Sequence, residues 1–249
     1  AQRVERALHD WQGAPLEQVP ARLAGEDEIR LAHTDDLYER IARTQHMTHA
    51  RIDADTAVCD RSFETALLAA GGLLELGDAV ATRAVRNGFA FVRPPGHHAT
   101  AGQAMGFCLF NNVAIAARHL QRKHGYERIA ILDWDLHHGN GTEAIFYDDP
   151  SVLYVSLHQY PFYPGTGAVT DTGRGDGLGF NVNVPFSAGV GDEGYALALE
   201  EIVAPVLRQF APQFVLVSAG FDCHWRDPLG GMQVTEKGFL AMTRILLQV

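Results

Sequence analysis

Apolar residues recur along this chain with two periods, and their alternation predicts its architecture. Up to about residue 60 the sequence is polar and irregular, with short helical patterns such as "DDLYERIART". "SFETALLAAGGLLELGDAV" then reads as a buried helix, with Ser62 placed to cap its start and Glu64 in its first turn. The run "GFAFV" (88–92) predicts a strand, and "NNVAIAARHLQRKHG" a helix that Gly125 ends. Four further β-rich runs predict strands: "RIAILD" (128–133), "SVLYVSL" (151–157), "FNVNV" (180–184) and "QFVLVSAG" (213–220). Helical spacing returns in "DEGYALALEEIVAPVLRQF" and "TEKGFLAMTRILLQ". Strands alternating with helices imply an α/β domain whose largely parallel sheet is covered on both faces. No fixed-period repeat, low-complexity segment or linker interrupts the pattern, so residues 1–249 are expected to form a single domain.

This organisation localises the chemistry. Ligands in such sheets bind beyond the carboxyl ends of the strands. Three predicted strand ends carry unusual residues: "FAFV-RPPGHHA", "IAIL-DWDLHHGNG" and "VLVS-AGFDCHWRDP". They are expected to converge on one crevice.

Composition then removes several classes of function. With 47% hydrophobic residues the chain can bury a large core, and its formal net charge of −10 argues against direct nucleic-acid binding. The three cysteines are far apart and form no C-x-x-C pair, which argues against a disulfide scaffold and for a reducing, cytoplasmic setting. No apolar run approaches the roughly 18 residues needed to cross a membrane, so no membrane partner is expected.

In an extended segment side chains alternate, so Asp133, Asp135 and His137 are expected on one side. Charged groups following an apolar strand cost solvation energy unless something pairs with them or coordinates them. Asp135 and His137, joined by Asp222 from another strand end, offer two carboxylates and one imidazole. Three protein ligands with an open position suit a catalytic Zn²⁺, and Fe²⁺ is compatible with the same set. The bland alternative is that these acids cap helices or pair with Arg. His97 and His98 lie in the stiff "RPPGHH" loop, where an imidazole near a metal can take a proton from water and return it to a leaving amine. Such a ring needs a group that fixes its tautomer, and Asp133 and Asn140 are the candidates. Phe107 in "GFCLFNN" and Tyr163 in "FYPGTG" are either plain packing or two walls of a slot for an alkyl chain.

Together, "RPPGHHA", "GFCLFNN", "DWDLHHGNGT", "SLHQYPFYPGTG" and "SAGFDCHWRDPLGG" resemble the histone deacetylase family. The likeness includes its bacterial amidohydrolase and acetylpolyamine amidohydrolase members and looks closest to the class II type. The resemblance implies an arginase-like three-layer α/β fold with a mainly parallel central sheet. It also implies zinc-dependent hydrolysis of an acetyl amide on a lysine side chain, with acetate released. By motif, Asp135, His137 and Asp222 match the zinc ligands, and His97 and His98 match the proton-managing pair. Asp133 and Asn140 match the residues that orient that pair. Gly106, Phe107 and Tyr163 match the tunnel wall, and Leu229 falls at its rim. The family also binds K⁺ or Na⁺. One such site matches Asp133 with the backbone of Asp135, His137 and Leu157 and the Ser156 hydroxyl, and another uses carbonyls of Phe146, Asp149, Val152 and Phe180.

The implied partners are an acetylated lysine in a peptide or protein, or an acetylated small amine, and an oligomer is compatible with the sequence. Asn140 stands where class I members carry Asp, so the adjoining His98 is expected to be less basic. The family's oxyanion-donating Tyr or His would lie beyond "MTRILLQV", so the chain is expected to be a fragment lacking its C-terminal segment. Two rival readings follow. An arginase-like di-manganese enzyme would want a second D-x-D where this sequence has Asp222-Cys223-His224. A non-catalytic acyl-lysine-binding module would need no oxyanion donor.

Overall fold

The computed structural model describes residues 2–249, with side chains from Arg6 onward. The polar N-terminal part forms three short helices, α1 (Gln2–His9), α2 (Glu26–Ile29) and α3 (Asp35–Ala42), and a two-stranded antiparallel ribbon of β1 (Ala50–Arg51) and β2 (Ala57–Val58). Two helices then pack on each other, α4 (Ser62–Ala81) and α5 (Asn112–His124). Ser62 is the first residue of α4 rather than its cap; Arg61 holds the cap position, and the Ser62 hydroxyl accepts from the Cys59 N–H at 2.9 Å. α5 has the ends its sequence predicts. The Asn111 side chain accepts from the Ala114 N–H at 3.1 Å, and Gly125 terminates the helix at φ 71°, a left-handed conformation that favours glycine.

The remaining elements are β3 (Ile129–Asp133), α6 (Asn140–Phe146), β4 (Val152–Gln159), β5 (Asn181–Phe186), α7 (Asp192–Ala198), α8 (Ala204–Phe210), β6 (Phe214–Ser218) and α9 (Glu236–Leu246). The four strands make one parallel sheet in the order β5-β4-β3-β6. Alternation across β3 divides the core. Ile129 and Ile131 join the layer built on α4 and α5, whereas Ala130 and Leu132 join the layer that holds Tyr195, Leu199, Leu207 and Met242. From β3 the chain runs to β4 and β5, then returns across the sheet to β6 on the other side of β3. The strand order therefore reverses between β3 and β6, and a crevice opens there at the carboxyl ends.

One expectation is corrected. No strand forms at 88–92. The segment has no ladder partner among the described residues, and Phe89 and Phe91 remain about half exposed, their rings 4.3 Å apart and tilted by 31°. An apolar run becomes a strand only when a neighbour takes its backbone groups. The helical spacing over 192–210 is borne out, with α7 running through a π turn at Leu199–Val203 into α8. Pro205 accounts for the π turn, because it has no N–H to give to residue 201 and its ring crowds that carbonyl. No helix of the described residues is long and apolar enough to cross a membrane.

Candidate metal centre

The site is built where β3 ends. Asp133 is its last residue, fully buried, and the chain then bends through 135–137 instead of continuing extended. Side chains hold that bend. The Asp135 N–H donates to Asp133 Oδ1 at 3.1 Å, and the His137 N–H donates to Asp135 Oδ1 at 2.9 Å. The alternation expected for this segment survives the bend: Trp134 and Leu136 enter the apolar core, while Asp133 and Asp135 both face His97, at 2.9 and 3.8 Å. Asp135 and His137 also meet Asp222 from the loop after β6. His137 Nδ1 lies 3.1 Å from Asp135 Oδ1 and 2.9 Å from Asp222 Oδ2. The other Asp222 oxygen accepts from the Leu136 N–H at 2.9 Å, which fixes the carboxylate across the switch point.

The electrostatics of this trio favour positive charge among its ligand atoms. Among the described residues no Arg or Lys pairs with Asp135 or Asp222, so the Arg-pairing alternative does not hold. Burial alone would push His137 down, but hydrogen bonds to Asp135 and Asp222 push it up to about 10. An imidazolium between two carboxylates occupies the place of a cation. Two carboxylate oxygens and one imidazole nitrogen, all within 4.8 Å of one another, fit a divalent metal with an open coordination position.

The tandem histidines sit beside the trio with their rings 4.0 Å apart. His97 Nδ1–H donates to Asp133 Oδ2 at 2.9 Å, and Tyr154 donates its hydroxyl to the same oxygen at 3.2 Å. His98 Nδ1–H donates to the Asn140 amide oxygen at 2.8 Å. His98 thus keeps Nε2 as an acceptor, whereas His97 Nε2 lies 3.8 Å from Asp135 Oδ1. Their charges separate: burial would lower His97, but Asp133, Asp135 and Asp222 push it up to about 9. His98 is pushed down to about 2, by burial first and by repulsion from His97 next. The neutral Asn140 partner offers no countercharge, as the sequence led one to expect.

Both expected wall loops reach His98. Gly106 adopts φ +57°, and a Cβ there would lie 2.4 Å from the His98 ring, so glycine lets this loop cover the imidazole. Phe107 follows, half exposed, its N–H held at 3.1 Å by the Thr56 hydroxyl. From the other side the Tyr163 ring stands edge-on to His98 at 5.1 Å. Leu229 is exposed in the loop after β6, its N–H donating to Asp227 Oδ1 at 2.9 Å. The residues expected around monovalent cations cluster as well. Ser156 lies across the ladder from Asp133, with Leu157 next along β4. Phe146, Asp149 and Val152 form the turn into β4, and the Phe180 carbonyl accepts from the Tyr154 N–H at 2.9 Å.

Other contributors were not foreseen. Phe162 stacks on His137 at 5.6 Å, and Thr56 comes from the N-terminal ribbon. His138 and His158 anchor the Tyr163 loop: His138 Nδ1 meets the Thr166 hydroxyl at 2.7 Å, and His158 Nε2 donates to the Gly167 carbonyl at 2.9 Å. The second His of "DLHHG" was a visible signal for the first of these contacts; Thr56 carried none.

Comparison with known proteins now decides the family. The histone deacetylase domain matches residues 1–249. The chain belongs to the histone deacetylase family. A probable deacetylase of Archaeoglobus fulgidus is 45% identical over 90% of this chain and 62% of its own length. The polyamine deacetylase HDAC10 of Homo sapiens is 44% identical over 98% of this chain and 39% of its own. A crystal structure of an HDA15 HD domain superposes with a TM-score of 0.91 at 44% identity, covering 92% of this chain and 65% of that one. The family's α/β deacetylase fold is therefore the fold of this chain. The chain spans less than two thirds of the length of these curated relatives.

Proposed function

We propose that this domain hydrolyses an acetyl amide on a lysine side chain in a metal-dependent reaction that releases acetate. The observation that carries the reading is the His137 nitrogen held between Asp135 and Asp222, with no Arg or Lys partner among the described residues, beside two histidines of separated charge. The family's named deacetylases support it. Zn²⁺, or Fe²⁺, held by Asp135, His137 and Asp222 would supply the Lewis acid that polarises the acetyl carbonyl and lowers the pKa of water. The chain's own residues do the rest. His98 Nε2 accepts the proton of the attacking water and returns it to the departing amine. His97, its proton bonded to Asp133, keeps positive charge next to the developing oxyanion. Phe107 and Tyr163, with Gly106 between Phe107 and His98, form the walls along which the lysine methylenes lie.

K⁺ or Na⁺ fits beside Asp133, Asp135, His137, Ser156 and Leu157. His158 gives its Nε2 proton to Gly167, so its Nδ1 takes the Ser156 hydroxyl proton at 3.0 Å and leaves the Ser156 lone pairs free. The carbonyls of Phe146, Asp149, Val152 and Phe180 form the second such place.

The relative named a polyamine deacetylase supports an acetylated small amine as the second substrate reading. Leu229 argues for lysine over polyamine, because a neutral rim offers nothing to a remote ammonium group. The test is kcat/KM on an acetyl-lysine peptide and on acetylspermidine, each with and without chelator. Chelator-sensitive turnover with the peptide preferred is expected. Strong preference for acetylspermidine would overturn the substrate assignment, and absence of turnover on both would favour a module that binds acyl-lysine without cleaving it.

A further inference from the structure

A second group of metal-ligating side chains lies outside the crevice, between α4 and α5. Asp78 sits in the last turns of α4, His119 one turn before the end of α5, and His124 at that end. His119 Nε2 lies 2.9 Å and His124 Nε2 2.6 Å from the same oxygen, Asp78 Oδ1. Two rings thus aim one nitrogen each at a single carboxylate oxygen, and the three ligand atoms fall within 4.8 Å of one another. These contacts are as short as those in the crevice, where one imidazole nitrogen lies 2.9 and 3.1 Å from two carboxylates. His119 is more than nine-tenths buried, with its other nitrogen 3.7 Å from Glu28 Oε1.

We propose that Asp78, His119 and His124 form a second binding site for a borderline divalent transition metal such as Zn²⁺, clamping the end of α4 to the end of α5. Four features support the assignment. Two imidazoles and one carboxylate are a donor set that Zn²⁺ takes readily, with water at the remaining position. The ligand oxygen is anionic and is shared by the two rings, so a cation at ~2.0–2.1 Å from each donor replaces their two bridging protons with small ring movements. A neutral ring need lose no proton; it shifts from Nε2 to Nδ1, and on His119 that places an N–H beside Glu28, the carboxylate that orients many metal-bound histidines. Finally, the partial negative charge at the end of α5 favours a cation at His124. Two cations oppose the metal: the Lys123 ammonium holds Asp78 Oδ2 at 2.7 Å, leaving Oδ1 to the histidines, and the Arg22 guanidinium holds both Glu28 oxygens at 2.6 Å.

The site stands apart from the proposed reaction and is tested without it. Metal-free full chain is titrated with Zn²⁺ by calorimetry and its content checked by elemental analysis after gel filtration. The expected stoichiometry is two per chain for the wild type, one for Asp222→Ala, one for His124→Gln and none for the double variant. Lys123→Ala is expected to tighten the second site, by roughly tenfold, by removing a like charge. One equivalent in both the wild type and His124→Gln would overturn the proposal and leave the cluster a hydrogen-bonded latch. So would a Lys123→Ala protein with unchanged Zn²⁺ affinity, a result that does not depend on how well His124→Gln folds.

Discussion

Two clusters of Asp and His, one in the crevice and one between helices, use the same residue types and reach different ends. In the crevice one imidazole faces two carboxylates, and among the described residues no ammonium or guanidinium pairs with them. Between the helices two imidazoles share one carboxylate that Lys123 already pairs. The first trio is left with an excess of negative charge next to proton-carrying histidines, which suits a tightly held Lewis acid. The second has its charge almost balanced, which suits a weaker, structural ion. What separates them is the surrounding charge and the sheet topology, since the crevice lies at the reversal of strand order and the other cluster lies on a packed helix pair.

The comparison breaks most severely if the crevice trio is dispensable. Asp135→Ala is expected to abolish metal retention there and turnover with it, read by elemental analysis and peptide assay. His98→Ala keeps all three ligands and loses the neutral proton acceptor, so kcat should fall by about 10²–10⁴ while metal content is unchanged. A variant that lost metal along with activity would place His98 in the metal's support instead.

Acid sharpens the comparison only where the rest of the fold is intact, and His33 sets that limit. It is buried, donating Nδ1–H to the Thr100 carbonyl at 3.0 Å and accepting the Asn111 N–H at Nε2, so it must be neutral. Burial pushes it down to about 4 from its ordinary 6.5. The unfolded chain therefore binds the extra proton between those values. Stability is full above 6.5 and lost as pH falls toward 4, by about 3 kcal/mol. Denaturant unfolding at pH 7 and 4.5 checks this, and His33→Gln is expected to flatten the slope. Smaller again, Zn²⁺ at 100 times its second-site Kd should stabilise Asp222→Ala by about 2.7 kcal/mol and leave the Asp222→Ala/His124→Gln protein unaffected. Smallest is Leu229→Glu, expected to shift kcat/KM toward acetylspermidine by ~1 kcal/mol.

The parallel sheet, the helices α4, α5 and α9 and the meeting of the crevice residues were legible because periodicity and motif spacing are local. The strand expected at 88–92 does not form because pairing depends on a neighbour that periodicity cannot supply. The π turn inside the 192–210 helix follows from Pro205, whose effect on the hydrogen-bond ladder the apolar spacing around it does not register. Alternation holds through 133–137 even though side-chain hydrogen bonds bend the chain there. Thr56, Phe162 and the second cluster were invisible for a common reason. Their partners lie far along the chain, as with Asp78 and His119, and only packing brings them together.

The central claim is that Asp135, His137 and Asp222 hold a divalent metal. It is tested most directly by an anomalous difference map, recorded at the zinc edge, from crystals of the protein grown with Zn²⁺. The account predicts the strongest peak between Asp135, His137 Nδ1 and Asp222, with a weaker one between Asp78, His119 and His124. A map with no peak among the crevice trio, and His137 Nδ1 still hydrogen-bonded to both carboxylates, would contradict it.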